Sequence, residues 1–258
     1  MEFDGDFGLW QRKIADGLEG TARRMSVFEA LAISSGQSIL DLGCGGGHLV
    51  REIALAVGDR GRVVGLDASP DQLESAGVLC AGLSAVELLE GDATDLPFDD
   101  GSFDGLASIQ MLEYVPDVDG AIAETRRVLK SGGKAALVSV LWDHWRFHGA
   151  ELELNDKMHD IWRSHCPHQM LPMELPVKLK TAGFGGIVQK PIAFMNGTMH
   201  GNAFALWAAK LVAAFAVDNG VTDEEAALWL DQLDKADDEG RFGFVSVPVL
   251  TTGTAASA

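Results

Sequence analysis

The chain has 258 residues, 47% of them hydrophobic, which suits one α/β domain at the upper edge of single-domain size. Twenty Lys and Arg stand against 38 Asp and Glu, a formal net charge of −18 that argues against a nucleic-acid substrate, since a duplex binder needs cations to replace phosphate counterions. The longest apolar stretch, residues 204–217, contains Lys210 and is too short for a bilayer, the acidic residues 1–6 lack a signal peptide's basic start, and Cys44, Cys80 and Cys166 form no paired framework, so a cytoplasmic location and no membrane partner are expected.

Residues 9–32 place Leu9, Trp10, Ile14, Leu18, Met25, Phe28 and Leu31 near a 3.6-residue period, which predicts one or two helices broken near Gly17 and Gly20. From Ser38 onward strand and helix alternate. Strands are predicted at 38–42, 62–67, 85–90, 103–108 and 134–141, and helices at 47–57, 70–82 and 118–129. Such alternation predicts a parallel sheet with helices on both faces, joined by right-handed crossovers. Ligands then sit beyond the carboxyl ends of the strands. After residue 142 the pattern loosens, and residues 142–183 are rich in Trp, His, Met and Pro. Residues 185–194 and 242–247 read as strands, with a largely helical insertion at 195–241 that is long for a connection. Pro248 would break a central strand's ladder, so the last strand is expected to stop before it, and residues 251–258 are expected to fray.

The strand Ile39-Leu40-Asp41-Leu42 runs into a turn with Gly43, Gly45 and Gly47 at alternate positions. Alternate glycines let the backbone approach a bound cofactor closely, and the following helix points its free N–H groups at the cofactor's polar end. The next strand ends in Asp67, an acid placed to accept hydrogen bonds from both ribose hydroxyls. Two kinds of nucleotide cofactor fit these features. The dinucleotide fingerprint, Gly-x-Gly-x-x-Gly, would put a glycine where His48 stands, so that pattern fails.

The acid-x-Gly-x-Gly-x-Gly arrangement opened by Asp41 resembles motif I of the class I S-adenosylmethionine-dependent methyltransferases. Glu90-Gly91-Asp92-Ala93-Thr94-Asp95-Leu96-Pro97-Phe98 resembles that family's segment after the third strand, where an acid meets the adenine amino group. Ser102-Phe103-Asp104-Gly105-Leu106-Ala107-Ser108 resembles its fourth strand, and Arg127-Val128-Leu129-Lys130-Ser131-Gly132-Gly133-Lys134 the glycine turn before its fifth. The resemblance covers roughly residues 20–140 and points to the small-molecule branch that includes ubiquinone- and menaquinone-type enzymes.

That resemblance implies a Rossmann-like, seven-stranded, mostly parallel sheet with helices on both faces and an antiparallel last strand. It implies a single domain over 1–258, with a helical cap at 1–35, a cofactor core at 36–141 and a substrate-side half at 142–258 roofed by 195–241. S-adenosylmethionine is the implied cofactor, held by Asp41, Gly43, Gly45, Gly47, Asp67, Ala68, Asp92, Ala93 and Gln110. Arg23 and Arg24 are either partners of the methionine carboxylate or a solvated helix face. The implied activity is methyl transfer to a small, mostly apolar organic metabolite, by a monomer or homodimer. A non-catalytic S-adenosylmethionine-binding protein is one alternative, and a nicotinamide-dependent oxidoreductase is another, against which the glycine spacing counts. Two family signatures of DNA substrates are absent: Ser108-Ile109-Gln110-Met111 stands in place of Asx-Pro-Pro-aromatic, and Cys166 precedes a proline rather than following one.

Methyl transfer from a sulfonium is an in-line displacement, so the protein mainly supplies alignment and exclusion of water. A general base is needed only where the nucleophile must shed a proton early. Asp143 and His144, directly after the fifth strand, are the catalytic candidates: Asp143 to orient a substrate group or cap a helix, His144 to take a proton or stand exposed. Trp142, His148 and His165 are candidate substrate contacts. Glu113 occupies a position that is often histidine in related enzymes and is read as structural. The spacing of His144, His148, His165, Cys166 and His168 matches no zinc pattern, so no metal is expected.

Overall fold

The computed structural model describes residues 5–256. The acidic residues 1–4 and the terminal residues 257–258 lie outside the described residues.

The predicted break in the N-terminal segment falls at Gly17, between α1 (Gly5–Asp16) and α2 (Leu18–Leu31). The alternating core follows. β1 (Ser38–Leu42) leads to α3 (His48–Val57), β2 (Arg62–Asp67) to α4 (Pro70–Leu79), and β3 (Val86–Glu90) to β4 (Phe103–Ile109). α5 (Val118–Val128) then passes straight into β5 (Leu129–Val140). These five strands pair in parallel in the order β3-β2-β1-β4-β5. Their sequences are near-continuous apolar runs because both faces of a parallel sheet are covered. Leu40, Leu42, Val64, Leu66 and Leu106 pack on one side with residues of α5 and of α7 (Leu171–Thr181). Ile39, Val63, Ala107 and Val138 pack on the other side with residues of α2 and α3.

The sheet has seven strands, and its far end differs from the expectation in one strand. β7 (Phe184–Pro191) forms one edge, and β10 (Pro248–Ala255) lies antiparallel between β5 and β7. The strand predicted at 242–247 exists as β9 (Gly243–Ser246), but it pairs with β6 (Arg146–His148) and β8 (Phe194–Asn196) in a separate small antiparallel sheet. Pro248 therefore opens the last sheet strand rather than barring it. As a first residue it can do without an N–H, and its carbonyl accepts from the Ile192 N–H at 2.7 Å. Residues 251–255, expected to fray, are held on both sides by ladders, with Thr251 fully buried.

The insertion is helical as predicted, with α8 (Phe204–Asp218) and α9 (Asp223–Asp238). With α6 (Leu152–Trp162) and the small sheet they enclose an aromatic core of their own, built on Trp142, Trp145, Phe147, Trp162, Trp229 and Phe244. Among the described residues no helix is long and apolar enough to cross a membrane.

Candidate functional site

A cleft of about 1110 Å³ opens at the carboxyl ends of the first four strands. Asp67, at the end of β2, is fixed there by two backbone donors. Its Oδ2 accepts from the Gly45 N–H at 2.8 Å and its Oδ1 from the Ser69 N–H at 3.0 Å. A carboxylate oxygen has room for further hydrogen bonds after one is made. Ser69 also caps α4, which starts with Pro70, so the turn after Asp67 is set by helix-start chemistry.

The glycine turn needs its glycines. Gly43 has φ 75° and Gly47 has φ 82°, in the left-handed region that favours glycine. A Cβ on Gly43 would lie 2.2 Å from Met111 Cγ, and one on Gly47 2.9 Å from the Ala76 Cα. The turn thus packs tightly against both the end of β4 and the side of α4.

Asp92 stands after β3. Its Oδ1 accepts from both the backbone N–H and the hydroxyl of Thr94, each at 2.8 Å, and these bonds hold the carboxyl below the usual aspartate range. Ala93 is buried beside it, and both line the cleft together with Ala68. Gln110 follows β4 with φ 53°, an unusual conformation for a residue with a side chain, and its N–H donates to the Val138 carbonyl at 2.8 Å.

A smaller recess of about 110 Å³ adjoins the cleft, sharing Gly43, Gly45, Ile109 and Gln110 with it. Asp41 and Arg23 meet there. Asp41 is 2% exposed and its Oδ2 has no partner. Burial, reinforced by the nearby charge of Asp67, pushes its carboxyl up to about 8. Arg23 and Arg24 are buried, which overturns the solvated-face reading. Arg24 is occupied by Glu52 at 2.8 Å and by the Ala15 carbonyl. Arg23 gives Nη1 to Gln110 Oε1 and leaves Nε and Nη2, the side-on edge of its fork, without partners. Burial lowers its guanidinium to about 10, still a cation at neutral pH.

Of the predicted cofactor residues, Gly43, Gly45, Asp67, Ala68, Asp92, Ala93 and Gln110 line the cleft, Asp41 lines the recess, and Gly47 caps the start of α3. The candidates after β5 fall elsewhere. Asp143 is at the surface, its Oδ1 accepting from Arg163 Nε at 2.8 Å, and His144 and His148 are exposed. None of the three lines the cleft or the recess. A short 3-10 turn at Trp142–His144 carries the two side chains outward while Trp142 turns into the aromatic core. His165 is buried there too.

Sequence reasoning missed Gln11, Met111 and Val115, which line the cleft from α1 and from the turn after β4. Tyr114, the sole tyrosine of the chain, lines the cleft as well. A readable signal existed only for the segment after β4, which strand order alone puts at the cleft. Glu113, in the same turn, is fully buried, its Oε1 accepting from the Val140 N–H at 2.8 Å and its carboxyl pushed up to about 7 by burial.

Residues 40–137 match the family described as a methyltransferase domain. A demethylmenaquinone methyltransferase of Staphylococcus epidermidis is 40% identical over 110 residues, 43% of this chain and 46% of that protein. A 2-phytyl-1,4-naphtoquinone methyltransferase of Synechococcus elongatus is 36% identical over 131 residues, 50% of this chain and 56% of that protein. The chain thus spans about half the length of these curated relatives. Among solved structures, the YcgJ protein of Bacillus subtilis superposes with a TM-score of 0.64 over 92% of this chain and 100% of its own, at 21% identity. The sheet order, the glycine turn and the matched segment agree: residues 40–137 form a methyltransferase-domain core, similar to the cores of these quinone-type methyltransferases.

Proposed function

We propose that this chain transfers a methyl group from S-adenosylmethionine to a small, mostly apolar organic metabolite. The observation that carries the reading is Asp67, held by two backbone N–H groups on the wall of a cleft bounded by glycines with positive φ. Its remaining lone pairs suit the two ribose hydroxyls. Asp92, fixed by Thr94, suits the adenine amino group, with Ala68 and Ala93 beside the base.

The recess supports the amino-acid end. The unpartnered Nε/Nη2 edge of Arg23 matches the fork geometry of a carboxylate, and the orphaned Oδ2 of Asp41 suits an ammonium. Gln110 is held by Arg23 between the recess and the cleft. When bound, the cofactor supplies an electrophilic methyl on sulfur. The chain's own residues bind, align and exclude water, which is the larger share of catalysis for a displacement of this kind.

Calorimetric titration with S-adenosylhomocysteine tests the placement. Asp67→Ala should weaken binding by about 1–3 kcal/mol, the usual loss for hydrogen bonds to a charged group. Unchanged affinity in that variant, or tight binding of NAD by the wild type, would refute the reading.

A further inference from the structure

Two consecutive arginines on α2 meet different surroundings. Arg24 has a carboxylate of its own, Glu52 at 2.8 Å. Arg23 is met by aromatic rings instead. Its Cζ stands 5.6 Å from the ring centroid of Phe194 and 5.3 Å from that of Phe204. Both distances lie within the roughly 6 Å over which a ring face attracts a cation, and the attraction is strongest where water is excluded. Arg23 is 3% exposed. Phe194 begins β8 of the small sheet, and Phe204 begins α8 of the helical insertion. Neither ring lines the cleft or the recess, whereas Arg23 lines the recess.

The joint between β8 and α8 is fastened to α2 beside that contact. Asn196 Oδ1 accepts from the Ala205 N–H at 2.9 Å, in the first turn of α8, where Ala203 supplies no side-chain cap. Asn196 Nδ2 donates to Glu19 Oε1 at 2.8 Å. Glu19 and Arg23 are one turn apart on α2 and share a face. One asparagine therefore ties the strand and the helix that carry the two rings to the helix that carries the cation.

This arrangement bears on direction. Arg23 gives Nη1 to Gln110 Oε1, and its Nε and Nη2 have no partner. A planar fork grips a carboxylate only when its two donors are aimed at it. A guanidinium held by a single hydrogen bond can still turn about that bond, and rings packed on it remove this freedom before a ligand arrives, which lowers the ordering cost of binding. A leucine would fill space at either position but offers a cation no π face.

We propose that Phe194 and Phe204 are positioning residues that hold the unpartnered edge of Arg23 toward the carboxylate of the cofactor's amino-acid end. The insertion thereby contributes to cofactor affinity without touching the cofactor. Coupling of this kind is reciprocal, so a carboxylate that fixes Arg23 also steadies the joint between β8 and α8. This assignment rests on the methyltransferase reading above.

The test compares two ligands on the full chain by calorimetry. S-adenosylhomocysteine and 5′-methylthioadenosine share adenine, ribose and a thioether sulfur, and only the first carries the amino-acid end. The ratio of their affinities isolates that end, and a packing defect that weakens the whole site leaves the ratio unmoved. Phe204→Leu should lower the ratio about fivefold and Phe194→Leu about threefold, with the affinity for 5′-methylthioadenosine unchanged. Phe194 is partly exposed, so a hydroxyl is tolerated there, and Phe194→Tyr, which keeps the ring face, should keep the ratio. Arg23→Met should bring the ratio to its floor. Phe204→Leu added to Arg23→Met should lower it no further, because the ring acts only through the guanidinium. An unchanged ratio in both leucine variants would overturn the proposal, and so would a full further loss in the double variant. Equal binding of the two ligands by the wild type would put the amino-acid end outside the recess and remove this proposal alone. Binding of neither ligand would remove the methyltransferase reading and this proposal with it.

Discussion

Asp41 is a buried carboxyl through which the proposed cofactor site would respond to pH. Its side chain sits at the end of β1 beside Asp67, and desolvation, then that neighbouring charge, push it up to about 8 from an ordinary value near 4. Between those two values the folded chain holds a proton that the unfolded chain releases. Its contribution to stability is therefore full below about pH 4 and is lost as pH rises toward 8. Glu113, pushed up to about 7 chiefly by burial, acts in the same sense over a narrower window. An ammonium group next to Asp41 would favour the ionised carboxylate, so binding of S-adenosylhomocysteine near pH 7 should release a proton. Calorimetry in two buffers of different ionisation enthalpy measures this. Release of up to one proton is expected for the wild type and markedly less for Asp41→Asn, and equal proton counts in the two proteins would place the ammonium elsewhere.

At the scale of elements, the helix starts are where sequence chemistry and structure agree most directly. Thr222 begins α9 with a complete capping box: its hydroxyl accepts from the Glu225 N–H at 3.2 Å, and the Glu225 carboxylate accepts from the Thr222 N–H at 3.2 Å. Thr222→Ala should cost about 1 kcal/mol. That lowers the melting temperature by roughly 2–4 °C in a domain of this size, and an unchanged melt would show that α9 is held by its packing alone. The first five strands were legible for a related reason, since each is an apolar run bounded by a glycine, an acid or a cap. β10 was not. Pro248 was read as a stop, whereas its missing N–H is harmless at a first position, and Thr251, Thr252 and Thr254 become strand residues because ladders on both sides order them. The residues that line the cleft were legible because chain order in a parallel sheet decides which loops meet. Asp143 and His144 pass the same test, following a strand, yet face away. Sequence places the start of a turn there but not its direction, and Arg163 from the end of α6 draws Asp143 outward. Gln11, on α1, carried no signal because only packing of the N-terminal helices brings it over the cleft.

For the whole molecule, two bulk properties remain to be tested. Among the described residues no group of three His, Cys, Asp or Glu side chains is placed to hold a metal ion. EDTA should leave both the melting temperature and S-adenosylhomocysteine affinity unchanged, and a loss restored by one divalent ion would reveal a ligand set. The net charge of −18 sets the second expectation. Pairs such as Arg62–Glu87 and Lys157–Glu225 are substantially exposed, and exposed pairs contribute about 0–1 kcal/mol each, weakened further by salt. Repulsion among the surplus acids acts over longer distances and favours expansion of the chain. Screening it shortens its reach to about 10 Å at 0.1 M salt and about 3 Å at 1 M. Losing the attractive pairs lowers stability, and losing the repulsion raises it. With 38 acids against 20 bases, the repulsive contribution is the larger. The melting temperature should therefore rise as sodium chloride goes from about 20 mM to about 0.5 M, beyond any change in pH. On the proposed placement, affinity for S-adenosylhomocysteine should move little over the same range, since its amino-acid end would carry one charge of each sign into the recess between Arg23 and Asp41. A melting temperature that falls with salt would mean that the ion pairs outweigh the surplus charge. Strongly salt-sensitive cofactor affinity would mean that the acidic surface, and not the recess, dominates binding.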